Sequence, residues 1–170
     1  MFVDSIPDIK QLGLNAVSIR DSEDNRDEKM RNAYATIDSA GLENLYVVAF
    51  DDLAKPLESK YGKGLIFPDE SHIIGILEWA KQKWAENGKH FVVHCSAGVS
   101  RSAAVAMLIN QMIINDYRAG WNIDRHSPNQ KVLELGEEYL DVPSFKDVVH
   151  DESIEHWRKK WEDEEYPNPF

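Results

Sequence analysis

The most informative segment of the sequence is His94-Cys95-Ser96-Ala97-Gly98-Val99-Ser100-Arg101-Ser102. It follows an apolar β-type run, 91–93, and leads into a long apolar helical run, 103–114. Small side chains between Cys95 and Arg101 let consecutive backbone N–H groups point toward one bound anion. The helix that follows adds the positive end of its dipole to the same place. This order of strand, small-residue loop and helix predicts an anion-binding loop.

The composition is that of an ordinary soluble domain. The chain has 170 residues, 42% hydrophobic and 29% charged, so we expect one domain. The longest unbroken apolar run, 103–109, is far shorter than the roughly 18–20 residues that span a membrane. Residues 1–5 have no basic segment, so no secretory signal is expected. A single cysteine excludes an intrachain disulfide and indicates a reducing, cytoplasmic setting, and without a ligand pattern around it we expect no metal site.

The formal net charge of −11 restricts the partners that the chain can bind. A strongly acidic surface repels both the phosphate backbone of nucleic acids and anionic lipid, so neither is an expected partner. The anion site must therefore be positive locally, through backbone N–H groups and a few arginines.

Strand-like and helix-like segments alternate along the chain. Strand-like segments are 15–20, 45–50 and 90–94, whereas 27–40, 69–84, 103–117, 127–140 and 144–163 have helical spacing of apolar residues. The alternation predicts an α/β sandwich, a single domain with a mostly parallel central sheet of four to five strands flanked by helices. The reactive loop then lies at the carboxyl end of a central strand. Phe2-Val3 could begin a further short strand.

Cys95 and Arg101 bring complementary chemistry to the loop. The planar guanidinium of Arg101 can grip two phosphate oxygens, a geometry that a lysine lacks. The same positive surroundings depress the pKa of the Cys95 thiol below its free value of ~8.5, which gives a thiolate at neutral pH. Thiolate attack on a bound phosphate ester would form a phosphocysteine. The competing interpretation is an inert cysteine at a strand end, with an unrelated arginine nearby.

The pattern of His, Cys, five residues, Arg and Ser over 94–102 resembles the signature loop of the cysteine-based protein tyrosine phosphatase superfamily. The whole string is similar to the form seen in dual-specificity phosphatases. The resemblance implies a phosphotyrosine protein phosphatase-like fold over 1–143, with no cofactor and with a phosphocysteine formed on Cys95. It also implies that the phosphate is bound by the loop residues Ser96, Ala97, Gly98, Val99, Ser100 and Arg101.

His94 and Ser102 flank the loop. The resemblance implies that His94 orients the loop and helps to hold the thiolate. It implies that Ser102 donates a hydroxyl hydrogen bond toward the sulfur of Cys95 and assists breakdown of the phosphoenzyme. A core histidine and an ordinary serine in the first turn of a helix are the alternatives.

A phosphate ester also needs a proton for its leaving oxygen, and one carboxyl group can deliver it and later activate water. The segment 50–56, Phe-Asp-Asp-Leu-Ala-Lys-Pro, is similar to the acid loop of the family. The family pattern of Phe-x-Asp followed by Pro favours Asp52, the second acid, as this group. Asp51 remains a rival, and two solvated turn aspartates are the remaining alternative.

The acid loop departs from the family in one respect. The gap from Asp52 to Cys95 is longer than usual, because a Gly/Pro-rich segment around 58–68 is inserted between them. If this segment reshapes the site, Asp69 or Glu70 could serve as the acid, although both suit the start of a helix.

Two features lie beyond the acid and the loop. Asn129 matches a Pro-Asn position that recurs in small bacterial members of the group, and the resemblance implies that it braces the site through hydrogen bonds. A helix-start asparagine is the alternative. Residues 144–170 are expected to form an amphipathic helix and an acidic tail, packed on the same domain.

The expected function is hydrolysis of phosphotyrosine monoesters, with phosphoserine and phosphothreonine left open. The expected partner is a phosphorylated protein or a small phosphomonoester, and the oligomeric state is left open. An alternative from another class is a phosphate-reading binding module, a pseudophosphatase that keeps the cradle without turnover. An RNA 5'-triphosphatase and a lipid phosphatase are less favoured, because the loop lacks lysine and the surface is acidic.

Overall fold

The computed structural model describes residues 10, 12–22, 27–53, 64–119 and 121–163. Its strands are β1 (Asn15–Arg20), β2 (Leu45–Ala49) and β3 (Phe91–His94). Its helices are α1 (Glu28–Ser39), α2 (Glu70–Asn87), α3 (Arg101–Ile114), α4 (Gln130–Leu140) and α5 (Lys146–Asp163). The predicted alternation of strands and helices is confirmed.

The three strands form one parallel sheet in the order β2-β1-β3. Val17 in β1 is paired with Tyr46 on one side and with Val93 on the other, so β1 is the central strand. The described residues contain three strands rather than the predicted four to five, and the candidate strand at Phe2-Val3 lies outside them. Within this sheet β3 is at an edge, so the expectation of a central strand before the loop is wrong for these residues.

The core lies mainly on one face of the sheet. Because successive side chains of a strand point to opposite faces, Val17 and Ile19 face a large apolar cluster while Ala16 faces a small one. The large cluster takes residues from α2, α3 and α4. On the other face, Arg20 pairs with Asp38 of α1. Helices therefore cover both faces, as in the predicted sandwich.

Helix α3 runs through the middle of the large cluster. Its first half is buried on all sides, as expected for a helix with an apolar start. Gly136 of α4 lies against the side chain of Leu108, so close that a Cβ atom at this position would collide with Leu108. The glycine thus lets α3 and α4 approach closely, which fixes the helix that follows the anion-binding loop.

Helix α5 is attached to the same cluster by its first turns. Val149 is fully buried, and the ring of Phe145 stacks on Tyr117 with centroids 4.3 Å apart. The buried carboxylate of Glu137 accepts hydrogen bonds from the backbone N–H groups of Phe145 (2.9 Å) and Lys146 (2.6 Å) at the start of the helix. No described helix combines the length and the hydropathy that crossing a bilayer requires.

Candidate active site

The loop between β3 and α3 places Cys95 at the base of the site and Arg101 at the start of a helix. Cys95 is buried, whereas the residues from Ser96 to Val99 are exposed. Gly98 has φ +70, in the left-handed region that residues with a Cβ atom seldom adopt, and the space around it is open. A glycine is therefore needed here for the backbone conformation of the loop and not for room.

The thiol of Cys95 is held by Ser102. Sγ of the thiol donates to Ser102 Oγ at 3.2 Å, and across the same contact the Ser102 hydroxyl can donate to the thiolate. Burial is the largest single influence on the pKa of Cys95 and would raise it. It is outweighed by hydrogen bonds from the hydroxyl and backbone N–H of Ser102, by the charge of Arg101 and by the N–H of Gly98, so the pKa is lowered. The site thus favours a thiolate, the nucleophilic form of cysteine.

Arg101 is buried and held from several sides. Nη1 donates to the carbonyl oxygen of Phe50 at 2.6 Å, and Nη2 donates to Asp21 Oδ1 at 2.8 Å and to Ser96 Oγ at 3.1 Å. Its Nε is also buried but has no hydrogen-bond partner among the described residues. Leaving a buried donor unsatisfied costs about 1–3 kcal/mol. An anion within hydrogen-bonding distance of Nε would remove that cost.

Asp21 is a site residue that the sequence did not reveal. It opens a charged segment that has no periodic pattern of apolar residues, yet it is buried and forms an ion pair with Arg101. The available signal was its position directly after β1, since the carboxyl ends of neighbouring parallel strands meet at one edge of the sheet. β1 and β3 are such neighbours, which brings Asp21 to the loop after β3.

Asp52 lies beside the loop, as the sequence predicts for the acid. Its Oδ1 accepts from Ser100 Oγ at 2.7 Å and from Asn129 Nδ2 at 2.7 Å. Its side chain is exposed, and so is accessible to a ligand in the loop. The structure therefore brings together Asp52, Asn129 and the anion-binding loop.

Asp51, the rival acid, is enclosed. It is 1% exposed, and its carboxylate accepts from the backbone N–H groups of Ser22 (3.1 Å) and Ile66 (2.7 Å). It joins the segment after β1 to the segment before α2. Asp69 accepts from the N–H of His72 and caps α2, so it is occupied at the helix start. Neither carboxylate is presented to the loop as Asp52 is.

The segment 127–129 is bound directly to the outer part of the loop. The backbone N–H of Ser127 donates to the carbonyl oxygen of Val99 at 3.1 Å, and the N–H of Asn129 donates to that of Ser100 at 3.3 Å. Asn129 also caps α4, since its Oδ1 accepts from the N–H groups of Lys131 and Val132. Asn129 therefore caps α4 with its side-chain oxygen and donates to Asp52 with its side-chain nitrogen, and its role in bracing the site stays a prediction.

His94 ends β3, opposite Ser18 of β1. It is only partly buried. Burial lowers the pKa of its imidazole, and the nearby charge of Arg20 lowers it further. The position is consistent with a histidine that stays neutral at the entry to the loop. Its role in orienting the loop stays a prediction.

Solved structures of known proteins share this fold. Human tyrosine phosphatase-like serine/threonine/tyrosine-interacting protein has a TM-score of 0.50 and 18% identity, over 78% of this chain and 80% of that one. Tk-PTP in the active form has a TM-score of 0.50 and 14% identity, over 82% and 88%. PTPMT1 has a TM-score of 0.50 and 17% identity, over 86% and 85%. No protein-family model and no curated protein matches the sequence.

The chain therefore has the tyrosine phosphatase-like α/β fold, and the predicted fold class is confirmed. At these levels of identity the likeness concerns the fold.

Proposed function

We propose that the protein is a phosphatase that hydrolyses phosphate monoesters, with an aryl phosphate such as phosphotyrosine as substrate, through a phosphocysteine on Cys95. The observation that carries the proposal is the buried Arg101, whose Nε has no hydrogen-bond partner among the described residues, near a cysteine with a lowered pKa. A nucleophile and an unsatisfied cationic donor at one loop suit a bound phosphate dianion.

The first chemical step is transfer of the phosphoryl group to sulfur. Arg101 and the backbone N–H groups of 96–100 bind the phosphate oxygens, and the thiolate of Cys95 attacks phosphorus. The P–O bond to the leaving group breaks as the S–P bond forms. Asp52 gives its proton to the leaving oxygen, which departs as an alcohol or phenol.

The second step returns the enzyme to its starting state. Asp52, now a carboxylate, takes a proton from a water molecule, whose oxygen attacks phosphorus. The P–S bond breaks, and inorganic phosphate and the Cys95 thiolate are released. Ser102 donates a hydrogen bond to the departing sulfur, a role that its 3.2 Å contact with Sγ supports.

The test is turnover of p-nitrophenyl phosphate by wild type and Cys95→Ser. We expect wild type to release phosphate, and Cys95→Ser to lose turnover while it still binds inorganic phosphate in calorimetry. Ser71→Ala, which changes a serine at the exposed start of α2, is the control and should behave as wild type. Full activity in Cys95→Ser would contradict the mechanism.

A phosphate-reading binding module gives a different result in the same assay. Wild type would then bind phosphate with no measurable turnover. The exposed position of Asp52 beside the loop favours the enzyme, because a binding module needs no acid there. Parallel assays with phosphotyrosine and phosphoserine peptides, a phosphoinositide and a 5'-triphosphorylated RNA would define the substrate class.

We also propose that 1–143 and 144–170 form one structural unit. The supporting observation is that Phe145 and Val149 lie in the same apolar cluster as the residues of α3 and α4. We propose separately that the protein is cytoplasmic, because its single cysteine suits a reducing compartment.

A further inference from the structure

Tyr34 of α1 reaches the candidate site from the opposite side of the sheet to the main core. It is 6% exposed. Its hydroxyl donates to Asp21 Oδ2 at 2.9 Å and lies 3.1 Å from Ser96 Oγ, while the backbone N–H of Asp21 points to the same hydroxyl at 3.4 Å. A helix distant in sequence thus contributes a buried hydroxyl to the anion-binding loop.

Asp21 and Ser96 lie in hydrogen-bond contact with the hydroxyl of Tyr34, and both also hold Nη2 of Arg101. Asp21 Oδ1 and Ser96 Oγ both accept from it. Ser96 Oγ in turn donates to Asp21 Oδ2. The hydroxyl of Tyr34 thus fixes the same two acceptors that fix the guanidinium. The orientation of the guanidinium in turn decides where Nε points, the donor that has no partner among the described residues.

The ring of Tyr34 is also held in place, by a contact with Arg20 of β1. The guanidinium of Arg20 lies over the ring, 5.1 Å from the centroid, a cation–π arrangement. Arg20 is itself paired with Asp38, one turn further along α1. The hydroxyl therefore occupies a position set by β1 and α1 and not by the loop.

We propose that Tyr34 is a positioning residue for phosphate binding: it fixes Asp21 and Ser96 so that Nε of Arg101 faces the bound anion. The inference rests on the proposed function for the identity of that anion as a phosphate. Tyr34 itself does not touch the substrate. Helix α1 is by this account a structural part of the phosphate site.

The variant that tests the proposal is Tyr34→Phe, because it removes the hydroxyl and keeps the ring under Arg20. We expect the dissociation constant for inorganic phosphate, measured by calorimetry, to rise about three- to tenfold, the scale of one hydrogen bond. The KM for p-nitrophenyl phosphate should rise with it. Tyr46→Phe is the matched control, since Tyr46 is a partly buried tyrosine that packs on α2 and Trp79. It should bind phosphate as wild type does.

A double-mutant cycle separates positioning from general stability. In the Ser96→Ala background, Tyr34→Phe should lose much of its effect on phosphate affinity, because the two hydroxyls act on the same guanidinium. Additive effects, or equal losses of affinity in Tyr34→Phe and Tyr46→Phe, would overturn the inference. The inference would also be overturned if Tyr34→Phe bound inorganic phosphate as tightly as wild type, in a preparation in which wild type binds phosphate and hydrolyses p-nitrophenyl phosphate. If wild type bound no phosphate at all, the proposed function would fail as well.

Discussion

Asn129 joins the start of α4 to Asp52. Its Nδ2 donates to Asp52 Oδ1 at 2.7 Å, and its Oδ1 accepts from the N–H groups of Lys131 and Val132. One amide thus caps a helix with its oxygen and holds a carboxylate with its nitrogen. Together with the donation from Ser100 Oγ at 2.7 Å, this contact holds the proposed acid beside the loop.

The two functions of Asn129 can be separated by Asn129→Ser. Serine is a good N-cap, so we expect the free energy of unfolding to change by only a few tenths of a kcal/mol. Serine is too short to replace the donation to Asp52, so turnover of phenyl phosphate should fall roughly tenfold, the scale of a charged hydrogen bond. Asn129→Ala should lose activity and also about 1 kcal/mol of stability. If Asn129→Ser hydrolysed phenyl phosphate as fast as wild type, Asn129 would have no role in positioning Asp52 for catalysis.

Asp52→Ala should lower kcat by ~10²-fold or more, the scale of general-acid loss. The loss should be smaller with p-nitrophenyl phosphate than with phenyl phosphate, because a good leaving group needs less protonation. Stability should change by less than ~0.5 kcal/mol, since the side chain is exposed.

Asp51→Ala should act mainly on stability. It removes the acceptor of two backbone N–H groups at a fully buried position, so we expect a loss of roughly 2 kcal/mol or more in urea unfolding. Refolded Asp51→Ala should show the same ratio of kcat for p-nitrophenyl phosphate to kcat for phenyl phosphate as wild type. If Asp51→Ala rather than Asp52→Ala slowed turnover of phenyl phosphate more than turnover of p-nitrophenyl phosphate, the two assignments would be reversed.

Because the pKa of Cys95 is lowered, we expect this residue to react with alkylating agents at a lower pH than free cysteine does. The rate of alkylation by iodoacetamide should rise with pH through a midpoint below ~8.5. Ser102→Ala should move the midpoint upward, because it removes a hydrogen bond that favours the thiolate. Since the folded pKa lies below the unfolded one, the thiolate adds stability above the unfolded pKa, and this is lost as pH falls through the folded pKa. A wild-type midpoint at or above that of free cysteine would contradict the electrostatic account.

Two adjacent valines test whether α5 is part of the domain. Val149 is fully buried in the common core, whereas Val148 is 42% exposed. Val149→Ala should lower the free energy of unfolding by about 2 kcal/mol, from two lost methyl groups and the cavity they leave. Val148→Ala should change it by less than ~0.5 kcal/mol. Equal effects, or a separate unfolding transition for α5, would show that 144–170 is not one unit with the rest.

The parts of the site that could be predicted are those that lie close together in sequence. The segment from His94 to Ser102 combines residue types, spacing and the strand-loop-helix context. The structure places Cys95 in contact with Ser102, and the charge of Arg101 lowers the pKa of the Cys95 thiol. The fold class followed from the alternation of strands and helices, because each pattern has its own period.

Residues that depend on tertiary contacts could not be predicted in this way. Asp21 pairs with Arg101 across 80 residues of sequence, and no local pattern separates it from the polar residues that follow it. Asp51 and Asp52 are chemically identical neighbours, and only their burial distinguishes them. Tyr34 has helical spacing typical of a core residue, so its hydroxyl contacts became visible only with α1 packed on the sheet.

The measurement that tests the central claim most directly is mass spectrometry of protein quenched in acid during turnover of an aryl phosphate. We predict that wild type gains the mass of one phosphoryl group, on the peptide that contains Cys95. Asp52→Ala should accumulate the same adduct when p-nitrophenyl phosphate is the substrate, because breakdown needs the base. Cys95→Ser should show neither the adduct nor turnover. Steady turnover by wild type with no phosphorylated Cys95 peptide, or with the phosphoryl group on another residue, would contradict the account.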